Sequence, residues 1–591
     1  MIRFWFEKTW VQYLSLCLLF VASALFVKYG LTLGYTFDWS VLYTVNETYG
    51  VHLGKQMLEG LGLTIEISLI SSAIALALGI TFGLGRLSKF KPVKWFADSY
   101  VEFFRNTPLL VQLFFWYFAL PMGLSEGARD LLFENNFEFW SATVGLSMYT
   151  GAFMAEIIRA GIQSIPKGLL EAAYSSGLTY FQVLRRIILP LAFRSIIPPL
   201  GSEFLNNMKN SSLAMVVGVA ELCWQAQNVE ALTFKGFEAT TAATLMYLFL
   251  SLTISTILNS VNRSLKIAAK PTLTKRFFGF LVLSSRRFTE TARFKIFGLR
   301  KSRQAALTIS PQQAAFRKLL KTIWKTFVLV CKLSFVAAIT FILYKAAMAV
   351  YDFNWEIIRN NFRSLLLWRY PNGGENELFS GMGGLAYSIL MSVIAISVSF
   401  FIGILVGLGR ISDNKLFRIP CTLYIEIIRG VPLIMVIFWV YFFIPMVFKT
   451  YLDVFWSATI ALTVFTGAYL GEIVRSGIEN IPAGQFEAAY STGLSYWQVM
   501  RKVILPQALK QMIPAIVGQF ISIFKDTSLA YIIGVLELTF VGQAINNRIM
   551  IYPFEIYSSV ALLYFVCCYS MSIYANKLEK RLSPDQMRLE M

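Results

Sequence analysis

The sequence predicts an all-α membrane protein with about twelve transmembrane helices in two parallel, homologous halves. Three observations carry that prediction: a composition too apolar for water, apolar runs of bilayer length, and a long internal repeat. Hydrophobic residues make up 56% of the 591 and charged residues only 15%, where soluble domains carry about 25% charged residues. Mean hydropathy is +0.59. A bilayer core asks for roughly 20 apolar residues per helix. Such runs lie near 10–29, 58–85, 96–120, 140–158, 190–219 and 240–262, then near 326–344, 384–409, 420–444, 456–474, 506–536 and 556–576. They divide the chain into a first unit (1–262), a basic linker (263–325) and a second unit (326–591), each unit an initial helix plus a five-helix core.

Orientation follows from the bias of Lys and Arg towards inward-facing loops. The loops 1–10, 86–95, 159–189, 263–332, 410–419, 475–505 and 577–591 hold 37 of the 53 basic residues and 9 of the 34 acidic ones. The alternate loops hold 9 basic and 16 acidic residues. The first set is expected on the cytoplasmic side, with both termini inside. The net charge of +19 therefore points to lipid rather than nucleic acid. Seventeen basic residues against one acid, Glu290, fall in 263–332, a stretch suited to an anionic membrane surface. Its short apolar run Phe277–Leu283 could lie in the interface but cannot span. Ala22-Ser23-Ala24 fits a small-x-small cleavage site, but the apolar run to Tyr29 is long for a leader, and an uncleaved anchor is expected.

The chemistry classes excluded are equally informative. His52 is the one histidine, and the six cysteines show no metal spacing or disulfide framework. No GxxxxGK[ST] loop occurs. Neither a catalytic residue, a metal site nor a cofactor is expected on this chain.

Compared with itself, the chain repeats. Glu171-AAYSSGLTYFQVLRRIIL-Pro190 matches Glu487-AAYSTGLSYWQVMRKVIL-Pro506 at 14 of 20 positions. Phe139-WSAT…TGAFMAEIIRAGIQSIP matches Phe455-WSAT…TGAYLGEIVRSGIENIP, and Lys209-NSSLAMVVGVAEL matches Lys525-DTSLAYIIGVLEL. Upstream, Glu102-FFRNTPLL pairs with Glu426-IIRGVPLI, and Gly83-LGRLS with Gly407-LGRIS. For both copies of the Glu-Ala-Ala segment to face one side, an even number of spans must separate them. The run 326–344 must therefore cross, and a pseudo-two-fold axis along the membrane normal is expected.

Each repeated loop between the fourth and fifth spans has capping chemistry. Pro166 and Pro482 can start a short helix, which Gly177 and Gly493 can end. Thr179-x-x-Gln182 and Ser495-x-x-Gln498 then read as capping boxes opening a return helix before Pro190 and Pro506. The short helix offers Glu171-Ala172-Ala173 or Glu487-Ala488-Ala489: small side chains for close docking, and a carboxylate for a partner's cation.

These segments resemble the EAA loop of ABC importer permeases: EAA, three residues, Gly, nine residues, then I-x-L-P. Gly177, Ile187, Leu189 and Pro190 fit the pattern in the first copy; Gly493, Leu505 and Pro506 fit in the second, with Val503 replacing Ile. RNTP/RGVP, GA[FY]xxEI[IV]R and K[ND][ST]SLA resemble the polar amino-acid uptake subfamily (histidine, glutamine, glutamate or arginine type). The resemblance covers about 58–262 and 384–578 and leaves out the initial helices and the linker. It implies the type I importer permease fold in the bacterial inner membrane. It also implies two copies of a cytoplasmic ABC ATPase, carrying ATP and Mg, on the two EAA loops, and an extracytoplasmic amino-acid-binding protein.

Ionisable residues inside a membrane are functional candidates by default. The equivalent pairs Glu102/Glu426, Arg105/Arg429 and Glu156/Glu472 lie towards span ends, where pairing and anchoring are expected. The polar stretch Asn206–Ser212 within the long segment 190–219, which also holds Pro198-Pro199, suggests a broken helix facing a water-filled path. Lys209 and Lys525 could attract a substrate carboxylate or pair locally, for instance with Asp526. Glu66, opposite Leu390, and Glu203, opposite Gln519, break the internal symmetry and could receive an ammonium group; drift after duplication is the alternative. An ion-gradient-driven secondary transporter with two six-helix halves is the rival reading, and a non-transport scaffold a third.

Overall fold

The computed structural model describes residues 35–46, 50–134, 136–266, 311–367 and 381–582, with parts of 12–21. Most of the crossing expected over 10–29, the Ala22-Ser23-Ala24 site and most of the linker, including Phe277–Leu283, fall outside them. The described chain is helical apart from a two-residue antiparallel pairing of Val45–Asn46 with Val51–His52.

The first unit comprises α1 (Leu53–Arg86), α2 (Lys91–Asn106), α3 (Leu109–Phe114), α4 (Phe137–Gln163), the short α5 (Lys167–Ser175), α6 (Leu189–Asn210), α7 (Leu222–Thr233) and α8 (Gly236–Lys266). The second opens with α9 (Pro311–Tyr351) and α10 (Trp355–Leu366). Then α11 (Gly384–Ile411), α12 (Lys415–Gly430), α13 (Leu433–Phe448), α14 (Val454–Glu479), α15 (Ala483–Ser491), α16 (Leu505–Asp526), α17 (Leu538–Ile549) and α18 (Pro553–Leu582) repeat the first unit's order.

Seven described helices are long and apolar enough to cross a bilayer, and the pair α12 and α13 makes eight if counted as one span. The seven include Thr322–Tyr351, the crossing that the repeat's parity demands. The runs near 96–120 and 420–444 are not straight spans. Each is an amphipathic helix that stops before a proline, Pro108 or Pro432, which caps the next helix. Between α12 and α13 the chain bends by 112°. The residue before proline is driven out of the α region, so apolar sequence continues through the break while the helix does not.

The segment 190–219 also differs from expectation. The helix runs through Pro198 and Pro199 and changes at Ser211 into a 3-10 helix that ends at Gly218, φ +88°. A π-turn over Leu184–Ile188, and its copy over Met500–Ile504, precedes Pro190 and Pro506. Proline clashes with the carbonyl four residues earlier, and one wider turn moves that carbonyl away.

Packing follows the repeat. α1 lies on α4 through Gly79 and Gly83, α11 on α14 through Gly403 and Gly407. A Cβ on Gly407 would stand 2.7 Å from the Gly471 carbonyl oxygen. Small residues four apart allow such backbone approach in membranes. The largest buried cluster draws on both units, joining Leu109, Leu110, Leu113 and Phe114 with Leu433–Phe438. The initial segments reach across as well: Gln12 accepts from the Lys415 amide at 3.1 Å, and Phe335 packs edge-on against Phe96.

Candidate functional site

The first feature is the pair of EAA loops. Lys167–Ser175 and Ala483–Ser491 are helical and begin directly after Pro166 and Pro482. Gly177 and Gly493 take φ of +75° and +78°, a left-handed conformation that glycine adopts at little cost. The Leu178 amide donates to the Ala173 carbonyl and the Gly177 amide to that of Tyr174, closing α5 with a Schellman motif. Both capping boxes form: the Gln182 and Gln498 side chains each accept from the N-cap amide at 2.9 Å. Glu171, Ala172, Glu487 and Ala488 are exposed, whereas Ala173 and Ala489 turn inward and are buried. The outward surface instead includes Tyr174, Tyr180 and Phe181, and in the second copy Tyr490, Tyr496 and Trp497. These exposed aromatics flank a helix of small residues, and the EAA motif alone does not reveal them. Leu189 and Pro190, and Leu505 and Pro506, begin the long helices that return from these loops.

Ion pairs brace the same end. Arg86 pairs with Asp98 at 2.6 Å, Glu102 at 3.6 Å and Glu156. Its counterpart Arg410 pairs with Glu426 at 2.5 Å and Glu472 at 2.9 Å. Arg159 and Arg475 reach Glu156 and Glu472 from one turn away. Glu102, Glu426, Glu156 and Glu472 thus tie helices together.

The second feature is a cavity of about 300 Å³ shared by the two units. Glu203, Asn206 and Lys209 from the first unit and Lys525 and Asp526 from the second all line it; Glu66 does not, being exposed on α1. Asn206 donates to Glu203 at 3.3 Å. The neighbouring Asn207 points elsewhere, buried among Ser71, Ser72 and Thr150 at 2.7–2.8 Å, where it fastens α6 to α1 and α4. Adjacent positions on one helix thus hold a cavity-lining residue and a packing residue, a distinction that composition cannot make.

The two lysines cross between units. Lys209 Nζ donates to the Arg429 carbonyl and the Tyr469 hydroxyl, each at 3.1 Å, and Lys525 Nζ donates to the Arg105 carbonyl at 2.8 Å. Each ammonium also faces the ring of the opposite GA[FY] motif: Lys209 lies 5.8 Å from the Tyr469 centroid, Lys525 5.4 Å from that of Phe153, within cation–π range. Tyr149, Phe153, Phe465 and Tyr469 were not singled out from the sequence, although two of them fill the variable position of that repeated motif. Among the described residues no cluster of His, Cys, Asp or Glu could hold a metal ion.

Set beside known proteins, residues 75–267 and 399–584 each match the family described as binding-protein-dependent transport system inner membrane component. A probable glutamine ABC transporter permease protein, GlnM of Bacillus subtilis, is 42% identical over 209 residues, 35% of this chain and 93% of that protein. The arginine transport system permease protein ArtQ of the same organism is 38% identical over 210 residues, 36% of this chain and 92% of its own length. A solved amino acid ABC transporter with histidines aligns over 39% of this chain and 100% of that one, at 32% identity and a TM-score of 0.34. Matched over more than half its length, once in each unit, the chain belongs to the binding-protein-dependent transport system inner membrane components: it is a multi-pass permease subunit of an ATP-driven importer.

Proposed function

We propose that this single chain supplies both halves of the translocation path for a polar amino acid, and that both of its termini are cytoplasmic. Two copies of a separate ABC ATPase, which itself holds the ATP and Mg, seat on the two EAA helices, and an extracytoplasmic binding protein delivers the amino acid. The observation that carries this reading is the duplicated exposed loop with identical caps. Its helix offers Glu171 and Ala172, or Glu487 and Ala488, to a partner, and its return helix leads without a gap to the shared cavity. Charge on both sides of the cavity suits a zwitterion: Glu203 and Asp526 offer oxygens to an ammonium group, and Asn206 an amide. The surrounding lipid and the basic linker account for the net charge, with no nucleic-acid partner.

Reconstitution tests this. The full chain, co-purified with its ATPase in proteoliposomes containing the binding protein, should accumulate labelled L-glutamine or L-arginine only with ATP. Recovery of the ATPase at two copies per chain supports the coupling arrangement; uptake driven by an ion gradient without ATP refutes it.

A further inference from the structure

The lysines that line the cavity have another claim on them. Arg429 lies in the last turn of α12 and Arg105 in the last turn of α2. Carbonyls in a final turn have no partner within their own helix, and a cation there is favoured by the helix dipole. Each lysine is the missing partner, and each comes from the other unit. Directly after each capped turn comes Pro108 or Pro432, where the chain breaks and turns into the cavity wall.

The other end of each lysine's helix matters as much. From the capping box at Thr179 the chain is helical without interruption through the π-turn, α6 and the 3-10 segment to Val217. In the second unit the same rod runs over Tyr496–Ile533, 38 residues. One end of each rod joins an EAA helix, and its far part carries Lys209 or Lys525.

We propose that Lys209 and Lys525 are positioning residues that cross-couple the two units. Each transmits the displacement of its own EAA loop to the proline break of the opposite unit, and so reshapes both cavity walls together. This builds on the importer reading above but not on any particular substrate. The lysines therefore hold backbone, and the work of holding cargo falls to Glu203, Asn206 and Asp526. Reciprocity gives the arrangement its value: a push on either loop moves wall segments of both units, so the two walls open in step.

The test uses the full chain with its ATPase and binding protein in proteoliposomes. Opening is read by maleimide labelling of Ser522→Cys, a cavity-lining position given no part in holding cargo, in a background without the native cysteines, with and without ATP plus vanadate. This readout needs no knowledge of the cargo. Uptake of L-glutamine and L-arginine is read separately, so a wrong substrate class shows as wild-type protein that opens but accumulates neither. Lys209→Met and Lys525→Met should each cut the ATP-dependent change in labelling, and the uptake per ATP hydrolysed, by about tenfold, the scale of one hydrogen bond to a charged group, while hydrolysis continues. Lys209→Arg should restore most of the loss. A KM raised about tenfold with the maximal rate and coupling intact would make the lysines cargo ligands and overturn the proposal, as would unchanged opening in both methionine variants. If the methionine variants fail to assemble, Tyr469→Phe decides. It removes one acceptor of Lys209 and keeps the ring, and it should reduce coupling about threefold; full coupling in this variant would also overturn the proposal.

Discussion

Glu537 accepts a hydrogen bond from the Tyr564 hydroxyl at 2.8 Å, with neither residue exposed to solvent. The same carboxylate caps α17 by accepting from the Thr539 and Phe540 amides at 2.8 Å. Glu221 repeats the arrangement with Tyr247, Thr64 and the Cys223 and Trp224 amides. Each carboxylate joins the start of one helix to the side of another. Glu537→Ala removes a cap and strands a buried hydroxyl, at a cost of about 3 kcal/mol. Tyr564→Phe should cost about 1 kcal/mol. Thermal unfolding of the detergent-solubilised chain should rank them in that order.

Gly407 lets α11 approach the backbone of α14 closely. A leucine there would drive its Cβ against the Gly471 carbonyl oxygen and the Val474 side chain, both at 2.7 Å. Gly407→Leu should lower the folded yield severalfold, since overpacking costs roughly 1–3 kcal/mol. Gly62, where an added Cβ would meet no atom within 4 Å, is the control: Gly62→Ala should leave the yield unchanged in size-exclusion profiles.

Gly493 closes the second EAA helix at φ +78°. An L side chain in that region costs about 1–2 kcal/mol, so Gly493→Ala should loosen α15 without disturbing the spans. Faster hydrogen exchange over 483–495 and weaker retention of the ATPase in co-purification are the expected outcomes. Unchanged exchange would mean that the turn tolerates the side chain.

Two carboxylates on the first unit are candidates for the path by sequence, and only one borders the cavity. Glu203→Gln should raise the uptake KM about tenfold, the scale of a lost charged contact. Glu66→Gln should leave KM within about twofold, as surface substitutions usually perturb by under ~0.5 kcal/mol. The reverse ranking would move the path to the outer face of α1.

What was legible in the sequence was local. The EAA helices, their prolines, the glycines that end them and the capping boxes depend on neighbours within a few residues, and the structure places them at those residues. The repeat also led to the crossing near 326–344, because parity is a topological constraint. The breaks at Pro108 and Pro432 were harder to read, since apolar residues continue on both sides and only the X-Pro signal marks them. The pairing of Lys209 with the Arg429 carbonyl could not be read at all. It joins residues 220 apart through a backbone oxygen that leaves no trace in side-chain identity. Glu66 and Glu203 looked alike because both are acids missing from the other copy; which side of a helix faces the cavity separates them.

In a permease assembled from two identical polypeptides, one mutation changes two opposed positions at once. Here Glu203 faces a cavity whose counterpart position is Gln519, and Asp526 stands where the first unit has Asn210. Joining both halves in one gene lets either wall be altered alone, so a guest with distinct ends can meet a host with distinct sides.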